Sequence, residues 1–185
     1  MKKIMMIAAF MVAALSASAQ NEVGAISIKP TVGINFANIT GDGDHKMKFG
    51  LIAGAEAEYG VAESFGLTAG LLYSMEGFKV DDEKLNLDYI NIPILANYYI
   101  VPGLAVKAGI QPAFNVRHKW SYDGESGDIE GVNSFNFSVP VGLSYQISDF
   151  VIDARYNIGI TKIFEDADQG RNSTITITLG YKIPF

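Results

Sequence analysis

The chain has no cysteine among its 185 residues. This absence excludes a disulfide, a metal bound through thiolates and a lipid anchor on an N-terminal cysteine. Tryptophan and histidine are also scarce, with one and two residues respectively. Any attachment of this protein to a membrane must therefore come from the folded chain itself.

Long hydrophobic runs and positive charge are in short supply as well. Outside an apolar run at residues 4–15, no stretch approaches the roughly 20 apolar residues of a helical membrane span, which excludes an all-helical membrane protein. The 14 Lys and Arg residues stand against 20 Asp and Glu residues, for a net charge of −6. This balance argues against a nucleic-acid partner, because phosphate binding needs clustered basic side chains.

The start of the chain has the pattern of a secretory signal peptide. Lys2 and Lys3 precede the apolar run, which is too short to span a membrane as a helix. The small residues of Ala17-x-Ala19 then provide a cleavage site. The pattern predicts a signal peptide at residues 1–19 and a single folded domain at residues 20–185.

Apolar and polar residues alternate through the last segment of the chain. One parity holds Ile175, Ile177, Leu179, Tyr181, Ile183 and Phe185, and the other holds Thr174, Thr176, Thr178, Gly180 and Lys182. Strand side chains alternate between two faces, so one face could meet lipid and the other a polar lumen. The same period recurs in candidate strands at residues 26–37, 47–59, 64–78, 86–99, 104–117, 134–146, 150–162 and 173–185. The pattern predicts an all-β fold, an eight-stranded antiparallel up-and-down transmembrane β-barrel.

The connections between these strands alternate in length. Short connections are predicted at residues 60–63, 101–103 and 148–149, and long ones at residues 38–46, 79–85, 118–133 and 163–172. Outer-membrane barrels have short periplasmic turns and longer extracellular loops. We therefore expect both termini in the periplasm and the four long loops outside the cell.

The main structural alternative is a soluble barrel of lipocalin type, in which the apolar face lines a ligand cavity. The outside of such a barrel would have to be well solvated. Here the polar parity is mostly Gly, Ser, Thr, Asn and Gln with few charges, and the densest acidic runs lie in the long connections. This composition favours a narrow packed lumen over a solvated outer face.

The segment from Leu87 to Tyr99 reads Leu-Asp-Tyr-Ile-Asn-Ile-Pro-Ile-Leu-Ala-Asn-Tyr-Tyr. It resembles a segment of the porin-family, PorT-like outer-membrane barrels common in Bacteroidota. Pro30-x-x-Gly33, Gly109-x-x-Pro112 and the aromatic C-terminal residue are similar to that family too. The resemblance implies a barrel fold and an outer-membrane location, and no particular activity.

Nine charged residues fall on the predicted inner face: Lys29, Glu56, Glu58, Glu76, Lys107, Arg117, Asp153, Arg155 and Lys182. The interior of an eight-stranded barrel is just wide enough to be filled by side chains. We expect these residues to pair in a network that closes the lumen, and we interpret Glu56 and Glu58 as structural partners of cations. The alternative is a narrow channel for ions or small solutes along the same residues.

Aromatic residues are the candidates for contacts outside the lumen. Trp120 and Tyr122, in the longest predicted loop, are candidates for an interfacial anchor or an adhesive contact. Tyr181 and Phe185, in the last strand, are candidates for the signal that barrel-assembly machinery recognises.

Catalysis and metal binding have weaker support. His118 with Ser121, Asp123 or Glu125 is a conceivable lipid-modifying site, but solvated loop residues are the simpler interpretation. The loops are acidic and could hold divalent ions, although no run matches an EF-hand. We predict a protein that is not an enzyme and has no cofactor, catalytic residue or assigned metal site.

The predicted function is a structural or surface-interaction scaffold in the cell outer membrane that acts through its extracellular loops. Its expected partners are outer-membrane lipid and lipopolysaccharide, the barrel-assembly machinery and a possible surface protein.

Overall fold

The computed structural model describes residues 23–40, 46–80, 83–122, 125–128, 133–162 and 171–185. All regular structure in these ranges is β. The strands are β1 (Ile26–Thr40), β2 (Lys46–Ala62), β3 (Phe65–Val80), β4 (Glu83–Asn91), β5 (Ile94–Val101), β6 (Leu104–Tyr122), β7 (Glu125–Asp128), β8 (Phe135–Ile147), β9 (Phe150–Lys162), β10 (Arg171–Tyr181) and β11 (Ile183–Pro184). No helix within these ranges has the length and hydropathy of a membrane span.

The sheet closes on itself. Each strand pairs antiparallel with its neighbour, and β1 pairs with both β2 and β10, with Val32 opposite Ala53 on one side and Leu179 on the other. The eleven segments make eight barrel strands, because β4 continues into β5, β10 continues into β11, and β7 pairs only with β6 among the described strands. The predicted eight-stranded antiparallel barrel is confirmed.

The fourth barrel strand is interrupted at Ile92 and Pro93. Proline has no N–H to donate to a neighbouring strand. The neighbouring backbone groups remain paired, because Ile92 N donates to Pro112 O at 2.9 Å and Gly70 N donates to Pro93 O at 2.9 Å. The Pro93 side chain is fully buried, so the interruption projects into the lumen.

The two faces of the wall differ sharply in chemistry. In β10, Leu179 is 49% exposed whereas its neighbour Thr178 is 5% exposed, and the alternation holds from Thr174 onwards. Apolar side chains cover the outside and polar side chains fill the inside. This arrangement suits lipid around the barrel. It is the inverse of a lipocalin, so that alternative is wrong.

The barrel has a turn end and a loop end. The turn end carries the first described residue, Val23, the C-terminal Phe185 and the tight turns at residues 63–64, 102–103 and 148–149, where Gly103 and Ser148 adopt positive φ of 82° and 54°. The loop end carries the connections that follow β1, β3, β6 and β9. The strands reach further there than predicted, since β3 runs to Val80, β4 begins at Glu83 and β6 continues to Tyr122.

This extension corrects the predicted loops at residues 79–85 and 118–133. Cross-strand pairs such as Lys79 with Lys84 and Asn86 with Lys119 continue the ladder beyond the apolar belt. The apolar alternation in these segments is short, with Phe78 opposite Leu85 and Leu85 opposite Trp120, and it adjoins the acidic run Asp81-Asp82-Glu83, which favours a loop.

Candidate functional site: the barrel lumen and its loop end

Five charged side chains from β1, β2, β6 and β9 meet inside the turn half of the lumen. Glu56 contacts Lys29 at 2.8 Å and Arg155 at 2.6 Å. Asp153 contacts Lys107 at 2.7 Å and receives a bidentate interaction from Arg155, whose Nε and Nη2 lie 2.6 and 3.0 Å from its two oxygens. All five residues are at most 8% exposed. We call this group the ion-pair cluster.

Strand register and a glycine bring the cluster together. Lys29 lies opposite Glu56 across β1 and β2. Lys107 and Arg155 both lie opposite Gly142, on either side of β8. A Cβ on Gly142 would lie 3.0 Å from Arg155 Cγ and 2.2 Å from a backbone oxygen, so the bare glycine leaves space for the guanidinium to cross the lumen.

A second ion pair lies nearer the turn end. Lys182 Nζ is 3.0 Å from Glu58 Oε1, and the two side chains are 18% and 13% exposed. Glu58 also accepts hydrogen bonds from Tyr99 at 2.7 Å, Thr68 at 3.3 Å and Asn97. Together with the ion-pair cluster, this pair places four cations and three carboxylates in the turn half of the barrel.

Glu76 lies in the loop half of the lumen, apart from these pairs. No Lys or Arg side chain of the described residues contacts its carboxylate within ion-pair distance. Its partners are instead the neutral side chains of Ser74, Asn91, Asn172 and Thr174. Sequence analysis did not single out these partners, although each has the inner parity of its strand.

Arg117 differs from its predicted place in the lumen. Its side chain is 52% exposed and lies 3.6 Å from Asp88, which also accepts a hydrogen bond from the Tyr73 hydroxyl at 2.7 Å. The cause is a β-bulge in β6, because Tyr89 pairs with Asn115 whereas Asp88 pairs with Arg117. The extra residue reverses the alternation and turns Arg117 to the outer face.

The predicted loop contacts lie at the loop end of β6. The backbone of Trp120 pairs with Leu85 and Gly127, and the backbone of Tyr122 pairs with Glu125. Their side chains lie outside the described part of the structure, as do most of the acidic loop residues.

Of the residues that could form a catalytic group, the structure describes the side chain of only one. His118 is exposed and its Nδ1 lies 3.1 Å from Asn115 Oδ1. Asp123 and the side chains of Ser121 and Glu125 lie outside the described residues. Within the described ranges, no group of three or more His, Asp or Glu side chains is arranged to hold a metal.

The candidate assembly residues lie at the turn end. The Tyr181 ring packs edge-on against Phe150 with centroids 5.3 Å apart, and its hydroxyl lies 3.2 Å from an Asp149 carboxylate oxygen. Phe185 N donates to Ile26 O at 2.8 Å, while the Phe185 side chain is 76% exposed. The final residue is therefore tied to β1 through its backbone and presents its ring outward.

A closed antiparallel wall with an apolar outside and an interior of paired charges defines a transmembrane β-barrel. The chain belongs to the outer membrane protein beta-barrel domain family, whose model matches residues 18–165. The protein is accordingly an outer-membrane barrel protein.

Solved structures show the same fold at low identity. Ail, the attachment invasion locus protein of Yersinia pestis, in complex with the heparin analogue sucrose octasulfate, is 20% identical with a TM-score of 0.59, over 88% of this chain and 100% of that chain. Neisserial surface protein A is 14% identical with a TM-score of 0.60, over 86% of this chain and 99% of that chain. No curated protein matches the chain.

Proposed function

We propose that this protein is a surface-interaction scaffold whose filled barrel holds a β-sheet at the loop end in position to contact other molecules. The observation that carries the proposal is the extension of β3, β4 and β6 beyond the apolar belt, joined there by β7. We call these four paired segments the protruding sheet. A rigid sheet on a filled barrel offers a fixed binding surface.

The protruding sheet has a strand edge that can accept a partner. Tyr122 pairs with Glu125 and Lys119 with Asp128, so β7 lies along one side of β6. Among the described strands β7 pairs with no other, which leaves its second edge available for backbone hydrogen bonds. Strand addition to such an edge is a common mode of protein recognition.

A line of basic residues on the outer face supports contact with lipopolysaccharide. Arg117 and Lys119 are exposed directly above Phe114 and Val116 of the apolar belt. The register places Asn86, a neutral residue, beside Lys119. In a chain of net charge −6, this basic row favours phosphate at the lipid headgroup level.

Binding to lipopolysaccharide tests this part of the proposal. The full barrel in nanodiscs would be titrated with lipopolysaccharide and with the same material after removal of its phosphates. We expect the Arg117→Gln, Lys119→Gln double variant to bind at least tenfold more weakly and to lose the preference for phosphate. Arg171→Gln is the control, since it removes an exposed charge from β10. Equal weakening in the control would show that net charge alone governs binding and would reject the basic row.

A narrow channel is the second candidate function. The lumen holds a cavity of about 20 Å³ beside Lys29, Glu58 and Lys182 and another of about 10 Å³ beside Glu76. The ion-pair cluster lies between the two, so conduction requires the cluster to open. Planar-bilayer recording separates the candidates: discrete steps altered by Glu56→Gln favour the channel, and a folded but silent barrel favours the scaffold.

The same proposal covers the export of the protein, its orientation in the membrane and its assembly. We propose that residues 1–19 are removed on export, that the loop end faces the cell exterior, and that Tyr181 and Phe185 are recognised during assembly. The short turns and the exposed terminal ring support this arrangement. The resemblance to PorT-like barrels supports an origin of this protein in Bacteroidota. It does not imply a particular activity. Mass spectrometry of the exported chain and protease protection in intact cells test these points.

A further inference from the structure

Glu76 is a buried carboxylate whose surroundings contain donors but no compensating charge. The residue is 5% exposed. One oxygen accepts hydrogen bonds from Ser74 at 2.8 Å and Asn91 at 3.3 Å, and the other accepts them from Thr174 at 3.4 Å and from Asn172. All four partners donate, which is the arrangement that stabilises an ionised carboxylate.

The cation beside this residue does not neutralise the carboxylate directly. Lys48 Nζ donates to the backbone carbonyl of Glu76 at 2.6 Å. The ion-pair cluster already includes three cations for two carboxylates, all engaged with one another in the other half of the lumen. The unit charge on Glu76 is thus held by neutral dipoles, which offset only part of the cost of burying it.

The carboxylate borders a small polar cavity of about 10 Å³, room for a single water or small ion, which we call the Glu76 chamber. Its walls come from Glu76, Asn91, Gln111, Ala113, Asn136, Ser138, Asn157, Asn172 and Thr174. Apart from Glu76, every polar wall residue is a neutral amide or hydroxyl. The chamber therefore combines one negative charge with many oxygen atoms.

Asn157 supplies the second indication of a ligand. It is 6% exposed, and its amide nitrogen donates to Thr174 O at 3.3 Å and Thr176 Oγ1 at 3.1 Å. Its Oδ1 is buried in the chamber wall and accepts no hydrogen bond from the described residues. A buried acceptor without a donor is costly, and a cation would satisfy it.

We propose that the Glu76 chamber binds a hard monovalent cation such as sodium, with Glu76 and the Oδ1 of Asn157 among its ligands. Carboxylate and amide oxygens are the ligands that hard cations prefer. The ion-pair cluster already has one excess cation, so a monovalent ion adds the least further positive charge to the lumen and a divalent ion adds twice as much.

Cation-dependent stability of the full-length barrel tests the site. Urea unfolding would be compared in sodium chloride, potassium chloride and choline chloride at equal ionic strength. At sodium ten times the dissociation constant, linkage predicts an unfolding constant about elevenfold smaller than in choline chloride. Glu76→Gln should abolish this difference, because it removes the charge and keeps the shape of the side chain.

Two further variants complete the test. Glu58→Gln, a matched change in the other half of the lumen, should retain the sodium effect. Asn157→Ala should weaken sodium binding, detected as a loss of broadening of the sodium-23 resonance even if Glu76→Gln fails to fold. Equal unfolding in sodium and choline, a sodium effect that survives Glu76→Gln, or stabilisation by calcium alone would overturn the proposal.

Discussion

Lys107 of β6 and Asp153 of β9 form an ion pair of 2.7 Å in the centre of the barrel, where they are 3% and 1% exposed. They lie on strands that are not neighbours, since β8 separates them. The pair bridges β8 beside Gly142, which lies opposite Lys107 and has no side chain to obstruct the contact. Through Asp153 it joins Arg155, and through Arg155 it joins Glu56 and Lys29, so one linked set of charges connects four strands.

The ion-pair cluster should respond unequally to loss of a cation and loss of an anion. Lys29, Lys107 and Arg155 face only Glu56 and Asp153, so the cluster has one excess positive charge. We expect Asp153→Asn to destabilise the barrel by about 3–5 kcal/mol, because it leaves buried cations unpaired. Lys107→Met should cost less, because it removes the excess charge. Urea unfolding in micelles measures both, and a greater loss in Lys107→Met would contradict this charge balance.

The assigned lipid face predicts a large effect for a charge on the outside of β10. Leu179 is 49% exposed and lies in the middle of the apolar face that runs from Ile175 to Ile183, on a strand that pairs with β1 and β9. Leu179→Arg should destabilise the folded barrel by about 2–4 kcal/mol if the residue lies near the bilayer midplane. Leu179→Phe is the control and should change stability little. Reversible folding into lipid vesicles provides the measurement, and equal tolerance of Arg and Phe would contradict a lipid-facing position.

Local alternation was sufficient to predict the barrel, because side-chain parity depends only on neighbouring residues in the same strand. Leu179 and Thr178 could be assigned to opposite faces on that basis. Arg117 could not, because the bulge that reverses its face is defined by the pairing of Asp88 and Tyr89 on another strand. The extension of β6 to Tyr122 was missed because its alternation is short and adjoins the acidic, glycine-containing segment from Asp123 to Asp128.

The partners of the lumen charges were less predictable than their burial. Glu76 meets Asn172 of β10, almost one hundred residues away in sequence, and neutral residues do not stand out as candidates for a charged site. Lys29 and Glu56 were both assigned to the inner face, but their contact depends on the register between β1 and β2. Sequence parity gives the face of a residue, and cross-strand register decides its partner.

A side chain at residue 142 should prevent normal closure of the barrel. A Cβ there would lie 2.2 Å from Ala154 O and 2.9 Å from Arg155 Cα, both in the backbone of the neighbouring strand. We expect Gly142→Val to separate β8 from β9 and displace the Arg155 guanidinium. Loss of heat-modifiable gel migration reports this failure. Ala108→Val adds bulk to the exposed outer face of β6 and should fold normally, so similar failure of both variants would argue against a specific role for Gly142.

Because Arg117 lies on the outer face, we expect its substitution to lower the free energy of unfolding only slightly. A position in the lumen would have predicted a large loss of stability. Its ion pair with Asp88 is long, at 3.6 Å, and half-exposed, so solvent screens it. The Tyr73 hydroxyl still donates to Asp88 when Arg117 is removed. Arg117→Gln should therefore change the free energy of unfolding by at most about 1 kcal/mol.

Arg155→Gln is the matched change inside the lumen. It should lower the free energy of unfolding by at least about 3 kcal/mol, because it leaves Glu56 and Asp153 with fewer cations. Urea unfolding of the two variants in the same micelles compares them directly, and a cost for Arg117→Gln as large as that for Arg155→Gln would place Arg117 back in the lumen.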